Sequence, residues 1–143
     1  MVLILTEYIE KINFLYCSNE GSPISAFNFD EFPLPYAFTL QSLFFNIKLE
    51  KEYTITTRVY NNRNEAVVKT SNSFILDRNQ LGADKYTNDE HTRASSLISI
   101  KTPNFTVVNS GTYRIEMTLF DNVGIKLSTQ ETYASVQGPA SNN

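Results

Sequence analysis

The chain has no tryptophan, one cysteine (Cys17), one histidine (His91) and five glycines in 143 residues, and each scarcity closes off a class of function. A lone cysteine rules out an intramolecular disulfide and gives no sign of the oxidising compartments in which disulfide frameworks form. One histidine removes every site that needs two imidazoles, the common catalytic zinc arrangements among them. The glycines, at 21, 82, 111, 124 and 138, are too dispersed to build a glycine-rich phosphate cradle. No Gly-x-Ser-x-Gly elbow is present to expose a nucleophilic serine. Apolar runs are short as well. None approaches the eighteen or so residues that span a bilayer, and the stretch 1–5 is too brief for a signal-peptide core, with Glu7 and Glu10 close behind it. The reading is of a cytoplasmic chain with no membrane contact.

Charge is sparse, at 19% of residues, and the balance is −3. A field of that sign repels phosphate backbones, and the cations are scattered from Lys11 to Lys126, so nucleic acid is not an expected partner. What fills the chain instead is Asn, Ser and Thr together with ten Phe and eight Tyr, a composition of turns and half-wet strands. Apolar content of 41% is that of a globular domain, and a chain of this length closes one core without staples.

Periodicity is mostly two. Residues 2–9 and 12–17 read as strands or as one bent strand, although the spacing of Ile4, Tyr8 and Ile12 also permits helical turns. Gly21-Ser22-Pro23 breaks the chain, and 28–35 is an irregular connection in which Pro33 and Pro35 withhold backbone donors. A strand follows over 36–47. Residues 53–60 and 65–76 form a hairpin around Asn61-Asn62-Arg63-Asn64, whose four-residue loop pairs Val59 with Ala66 and Thr57 with Val68. The stretch 78–93 is a polar loop, and 94–101 and 105–108 are short strands divided by Pro103. In the last hairpin an even loop would bury Lys126 opposite Leu119. A three-residue loop, Asn122-Val123-Gly124 with glycine in the left-handed position, pairs Leu119 with Leu127 and Tyr113 with Tyr133, at the cost of setting Glu131 inward opposite Ile115.

These strands predict an all-β fold, an antiparallel two-sheet immunoglobulin-like sandwich of about seven to nine strands over 1–136, followed by a flexible tail at 137–143. The motif Asn109-x-Gly111-x-Tyr113 resembles the tyrosine corner of immunoglobulin-like domains. Ile115 stands where antibody domains carry cysteine, so the resemblance is to the broad group. More loosely, the run from Pro33-Leu34-Pro35 to Gly111-Thr112-Tyr113 is similar to small uncharacterised bacterial and phage domains. That resemblance implies a sandwich, a hydroxyl of Tyr113 tied back to the turn, and no activity.

Candidate chemistry is thin. Asp84, Asp89 and Glu90 around His91 lack the alternating spacing of a calcium loop. Cys17 with His91 has no supporting context as nucleophile and base, and fifteen acids offer no pair set apart for glycoside chemistry. No cofactor, metal or small-molecule substrate is implied. The apolar surplus is more informative. Phe27, Phe29, Phe32, Leu34 and Tyr36 lie in the irregular connection, where they either cap the core or anchor a protein partner, and the adjacent Phe44 and Phe45 must send one ring outward. The expectation is a non-enzymatic interaction domain that binds another protein, or a second copy of itself, through these aromatics and a sheet edge. Alternatives are an assembly accessory of a phage particle and a carboxylate-dependent hydrolase.

Overall fold

A computed structural model describes residues 9–81 and 85–139. Alternating inward residues build nearly every element: β1 (Lys11–Asn19), β2 (Ser22–Pro23), β3 (Ala26–Asn28), β4 (Leu34–Tyr36), β5 (Thr39–Lys48), β6 (Glu52–Tyr60), β7 (Ala66–Ile75), β8 (Arg93–Lys101), β9 (Phe105–Val107), β10 (Gly111–Phe120) and β11 (Lys126–Gln137). A four-stranded sheet in the order β2-β1-β5-β8 faces a five-stranded sheet in the order β3-β11-β10-β6-β7, and β4 pairs with β9 as a third small sheet. The fold is the all-β sandwich that the period-two pattern predicts. One departure is β3, which joins β11 in parallel through Phe27 opposite Val136.

The core is continuous between the sheets. Ile12, Leu40, Phe44 and Ile47 from one side meet Tyr53, Val59, Ile115, Met117 and Leu119 from the other, all of them sealed from solvent. β5 shows the alternation plainly, since Leu40, Ser42 and Phe44 point in while Gln41, Leu43 and Phe45 point out. A bulge between Ile12 and Phe14 leaves Asn13 without a cross-strand partner on β5, next to Ile12, which faces Phe44. Both backbone groups of Ile12 are met from the opposite sheet, its N–H donating to Ser128 Oγ at 3.0 Å and its carbonyl accepting from Gln130 Nε2 at 3.1 Å. Two polar inward residues of β11 thereby stitch the sheets together.

The central strands β6 and β10 carry hairpins of the same construction. Asn61 N–H donates to Glu65 carbonyl and Asp121 N–H to Ile125 carbonyl, each at 3.0 Å. The first side chain of each loop accepts two backbone N–H groups, Arg63 and Glu65 in one, Val123 and Ile125 in the other. The fourth loop position is left-handed in both, Asn64 at φ 61° and Gly124 at φ 88°. Each loop is followed by a bulge, so Val59 faces Val68 and Leu119 faces Ser128. Equivalent residues in the two hairpins are 53 and 113, 57 and 117, 61 and 121, 68 and 128. Because Thr57 also pairs with Met117 across β6 and β10, a pseudo-twofold axis passes through that pair.

Those bulges correct the expected registers. The first hairpin's partners lie two residues further along than a four-residue loop allows, Val59 opposite Val68 in place of Ala66, which leaves the buried face unchanged. In the second, the three-residue turn and its left-handed Gly124 are present, and Phe120 faces Lys126 as that turn requires. Beyond it the bulge moves β11 by one residue, so Tyr113 faces Ala134 and not Tyr133. Glu131 accordingly sits opposite Glu116 on the outer face, bound to Arg114 at 3.1 Å, and no charge is buried against Ile115.

The tyrosine corner is absent as hydrogen-bond chemistry. The Tyr113 ring packs against Phe38 and Phe105, and its hydroxyl makes no hydrogen bond among the described residues. Gly111 serves a different purpose, for a Cβ there would lie 2.9 Å from the Asn62 side chain in the first hairpin's loop. Among its described residues the loop 78–93 contains a 3-10 turn at Arg78–Gln80 and an isolated bridge from Tyr86 to Ala94. Residues 2–8, expected as strand or helix, lie outside the described residues, as do 140–143 of the expected tail. Gln137 still belongs to β11, and Gly138 N–H donates to Ser110 Oγ at 3.0 Å.

Candidate protein-docking face

The five residues singled out from the irregular connection come together at one end of the sandwich. Phe27 is buried in β3, with its ring edge-on to Tyr36 and tilted against Phe38. Phe29 meets both Phe32 and Tyr36, and Phe32 lies over Gly138. Leu34 and Tyr36 form β4 and pair with Val107 and Phe105 of β9. The group therefore caps the core, its rings spent largely on one another, and Phe29, Phe32, Leu34 and Tyr36 keep only partial exposure. Beside it a shallow groove of about 560 Å³ runs past Ser110, Thr112, Gln137 and Gly138. Among the described residues no carboxylate lines that groove.

Other candidate chemistry is kept apart. Cys17 is buried opposite Leu40 at the aromatic end of β5, and burial pushes its thiol up to about 12, which leaves it a thiol and a poor nucleophile. His91 stacks on Tyr86 in an exposed turn beside Thr92, close to the far end of β5, where Leu49 N–H donates to the Thr92 carbonyl. Nucleophile and base do not meet. Among the described residues no group of three or more His, Cys, Asp or Glu is arranged to hold a metal ion, and no helix is long and apolar enough to cross a membrane.

The end opposite the aromatic cap is closed by a polar clasp. Tyr53 Oη donates to the Glu10 carboxylate and accepts from Lys48 N–H at 2.9 Å. Arg93 lies 3.8 Å from Glu10 and donates to the Asn46 carbonyl at 2.9 Å, while Asn46 Oδ1 accepts from the Thr87 hydroxyl. Burial, and then the hydrogen bond to Glu10, raise the Tyr53 hydroxyl well above the usual phenol range. Every member is occupied by another, so the clasp is structural.

The two outer sheet faces differ sharply. On the five-stranded sheet Arg114 reaches Glu116 at 3.4 Å and Glu131 at 3.1 Å, donates to Asn64 Oδ1 and lies over the Tyr60 ring at 4.1 Å. Arg114 is thereby matched by two carboxylates. On the four-stranded sheet, register places Phe14 beside Leu43 and Leu43 beside Leu97, a row of apolar side chains crossing three strands in the open. Phe14 is 37% exposed and Leu97 is 58% exposed. Tyr16 stacks on Phe14 at 5.6 Å, and Phe45, also 37% exposed, extends the row toward Lys11, its cross-strand neighbour. Such a strip on a wet face makes this sheet the candidate docking surface, because isolated exposed apolar residues are ordinary and contiguous ones are not. Of its members, only the outward Phe45 was marked by the sequence, as half of the Phe44-Phe45 pair. Phe14, Leu43 and Leu97 gain their meaning from register, which sets three distant positions side by side.

No family model matches the chain, and no curated protein is similar to it in sequence. Its likeness is to solved structures. A β-glucuronidase from Bacteroides uniformis is 10% identical with a TM-score of 0.58, over 88% of this chain and 14% of that one. A bacterial adhesin from Mobiluncus mulieris that contains intramolecular disulfide, isopeptide and ester cross-links is 12% identical with a TM-score of 0.55, over 90% and 58% respectively. A β-galactosidase described as putative, from Bacteroides fragilis, gives 15% identity and a TM-score of 0.50 over 87% and 17%. The chain thus spans about one seventh of the glucuronidase and somewhat over half of the adhesin. At such identities the likeness is one of fold, and the fold shared with these bacterial proteins is the β-sandwich.

Proposed function

We propose that this chain is a non-catalytic β-sandwich module that docks onto another protein through the outer face of its four-stranded sheet. One observation carries the reading, the exposed row Phe14, Leu43, Leu97 with Phe45 and Tyr16 beside it. Its layout, an apolar centre in a polar surround, is that of an interface. The exposed Leu97 stands on β8, an outermost strand, so a partner that covers the row also reaches a sheet edge where strand addition is available. Phe29, Phe32 and Tyr36 contribute to stability first and to contact second. A cytoplasmic setting agrees with the single, deeply buried cysteine. Sandwiches of this fold form one part of the larger proteins described above, which suits a module.

The test is a selection of random twelve-residue peptides displayed on phage against the immobilised protein, with Leu97→Asp as the counter-selecting surface. Leu97 is exposed, so the variant keeps its urea midpoint, and Phe14→Ser serves as an independent second variant. Peptides that bind the wild type and lose about tenfold or more on both variants are expected, since a central apolar anchor dominates such contacts. A selection whose products bind all three proteins alike would overturn the docking face. Sedimentation of the free protein addresses the self-binding alternative: a dimer that Leu97→Asp dissolves would make a second copy the occupant.

A further inference from the structure

We infer that the occupant of this face is a different protein presenting an acidic rim around an apolar centre, an inference that rests on the docking role proposed above. The chain is acidic overall, yet the strands of the four-stranded sheet carry Lys11, Lys48, Arg93 and Lys101 and not one Asp or Glu. The strands of the other large sheet are mixed, with Glu52, Glu116 and Glu131 set among Arg58, Lys69, Arg114 and Lys126. The protein's acidity resides largely in turns and connections, at Glu20, Asp30, Glu31, Glu50, Glu65, Asp77, Asp89, Glu90 and Asp121.

Register then fixes where the cations stand. Lys11 is the cross-strand neighbour of Phe45, Lys48 the neighbour of Arg93, and Lys101 the neighbour of Thr39, so exposed lysines bracket the apolar row at both ends. Arg93 is engaged by Glu10 and the Asn46 carbonyl. Lys11, Lys48 and Lys101 take part in no ion pair among the described residues. A face with unmatched cations around an apolar centre is half of a complementary pair, and the other half carries carboxylates. Two copies meeting face to face would bring lysines against lysines, which disfavours the self-paired arrangement. The lysines steer and orient the partner, and the apolar row holds it.

The peptides recovered by the selection described above decide the matter. The expected products carry several Asp or Glu around a Leu or an aromatic, weaken about tenfold between 50 and 500 mM NaCl, and weaken similarly on a Lys11→Glu/Lys48→Glu/Lys101→Glu variant. Neutral or basic products that depend on Leu97 but not on salt or the lysines would overturn the acidic partner and leave the docking face standing. Products indifferent to Leu97 would remove both. Co-sedimentation with vesicles of equal parts phosphatidylserine and phosphatidylcholine supplies the remaining comparison. No binding is expected at physiological salt, and lysine-dependent binding there would overturn the inference in favour of an anionic lipid surface.

Discussion

Tyr53 and Tyr113 hold equivalent places in the two related hairpins, each near the start of its strand, and their surroundings are opposite. Because β6 and β10 run antiparallel about the Thr57 and Met117 pair, one tyrosine falls at each end of the sandwich. Tyr53 is fully buried, with its hydroxyl held between the Glu10 carboxylate and Lys48 N–H. Tyr113 is almost as buried, but its ring lies against Phe38 and Phe105 and its hydroxyl is bound to nothing among the described residues. A single hairpin design is therefore finished at one end by ionic hydrogen bonds and at the other by stacked rings. The lesson is that strand pattern determines which residues face inward, while the segments that close each end determine what those residues do.

The largest effect tests the aromatic end. Phe38 is sealed from solvent and touches Phe27, Tyr36, Phe105 and Tyr113. Phe38→Ala is expected to cost about 3–5 kcal/mol in urea unfolding, the range for emptying a phenylalanine site in a core. A loss under about 1 kcal/mol would mean that the cap is a detachable lid and not part of the core.

The comparison itself is sharpest in a pair of single-atom deletions. Tyr53→Phe strands the Glu10 carboxylate and Lys48 N–H and should cost about 1–3 kcal/mol, whereas Tyr113→Phe removes a hydroxyl that has no hydrogen bond among the described residues and should be close to neutral. Equal effects on urea midpoints would erase the distinction. Alkaline pH probes the buried groups at both ends, since burial raises the Tyr113 hydroxyl too. Burial raises the Cys17 thiol from 9.0 to about 12 and raises the Tyr53 hydroxyl as well, so the folded chain keeps protons that the unfolded chain releases. Stability is then complete below about pH 9 and falls as pH rises from there. Cys17→Ala should flatten the fall between about pH 9 and 12, and Tyr53→Phe should flatten the part above about pH 10.

Much of this molecule is legible in the sequence, and the exceptions have physical causes. The sandwich, the positions of the long strands and the left-handed Gly124 follow from alternation and turn chemistry. The bulges after both loops do not, because Leu127 and Val67 look like ordinary strand residues until the Asn61 and Asp121 side chains are seen collecting two N–H groups apiece. That miss alone misplaced Glu131. The exposed apolar row was hidden for a related reason. Phe14, Leu43 and Leu97 are single apolar residues in separate strands, and only strand order β1-β5-β8 with its register joins them. The segment 27–36, with Phe27, Phe29, Phe32, Leu34 and Tyr36 close together, stands out in the sequence because it is local.

The two loops extend the comparison with smaller effects. Gly124→Ala places a Cβ in a left-handed position and should cost about 1–2 kcal/mol, while Asn64→Gly in the related loop should change stability by only a few tenths, up or down. Thermal midpoints would show the asymmetry, and a costly Asn64→Gly would assign its importance to the hydrogen bond that its Oδ1 accepts from Arg114 at 3.0 Å.

An effect smaller than that of Gly124→Ala lies on the pseudo-axis, where the two hairpins cannot both have what they want. Thr57 and Met117 are equivalent by position and are also cross-strand partners, so each packs against its own counterpart, and both are fully buried. Methionine fills that site with flexible apolar volume. Threonine brings a hydroxyl, and Thr57 Oγ1 is the one buried side-chain oxygen or nitrogen among the described residues that lacks a hydrogen-bond partner. An unmet hydroxyl in a dry core costs about 1–3 kcal/mol relative to a satisfied one, and valine has nearly the same shape without it. Thr57→Val should therefore stabilise the protein by about 0.5–1 kcal/mol, read as a raised urea midpoint with an unchanged slope. A loss of stability would show that the hydroxyl is satisfied in solution, by a water between the two hairpins, and that the axis is wet where the packing makes it dry.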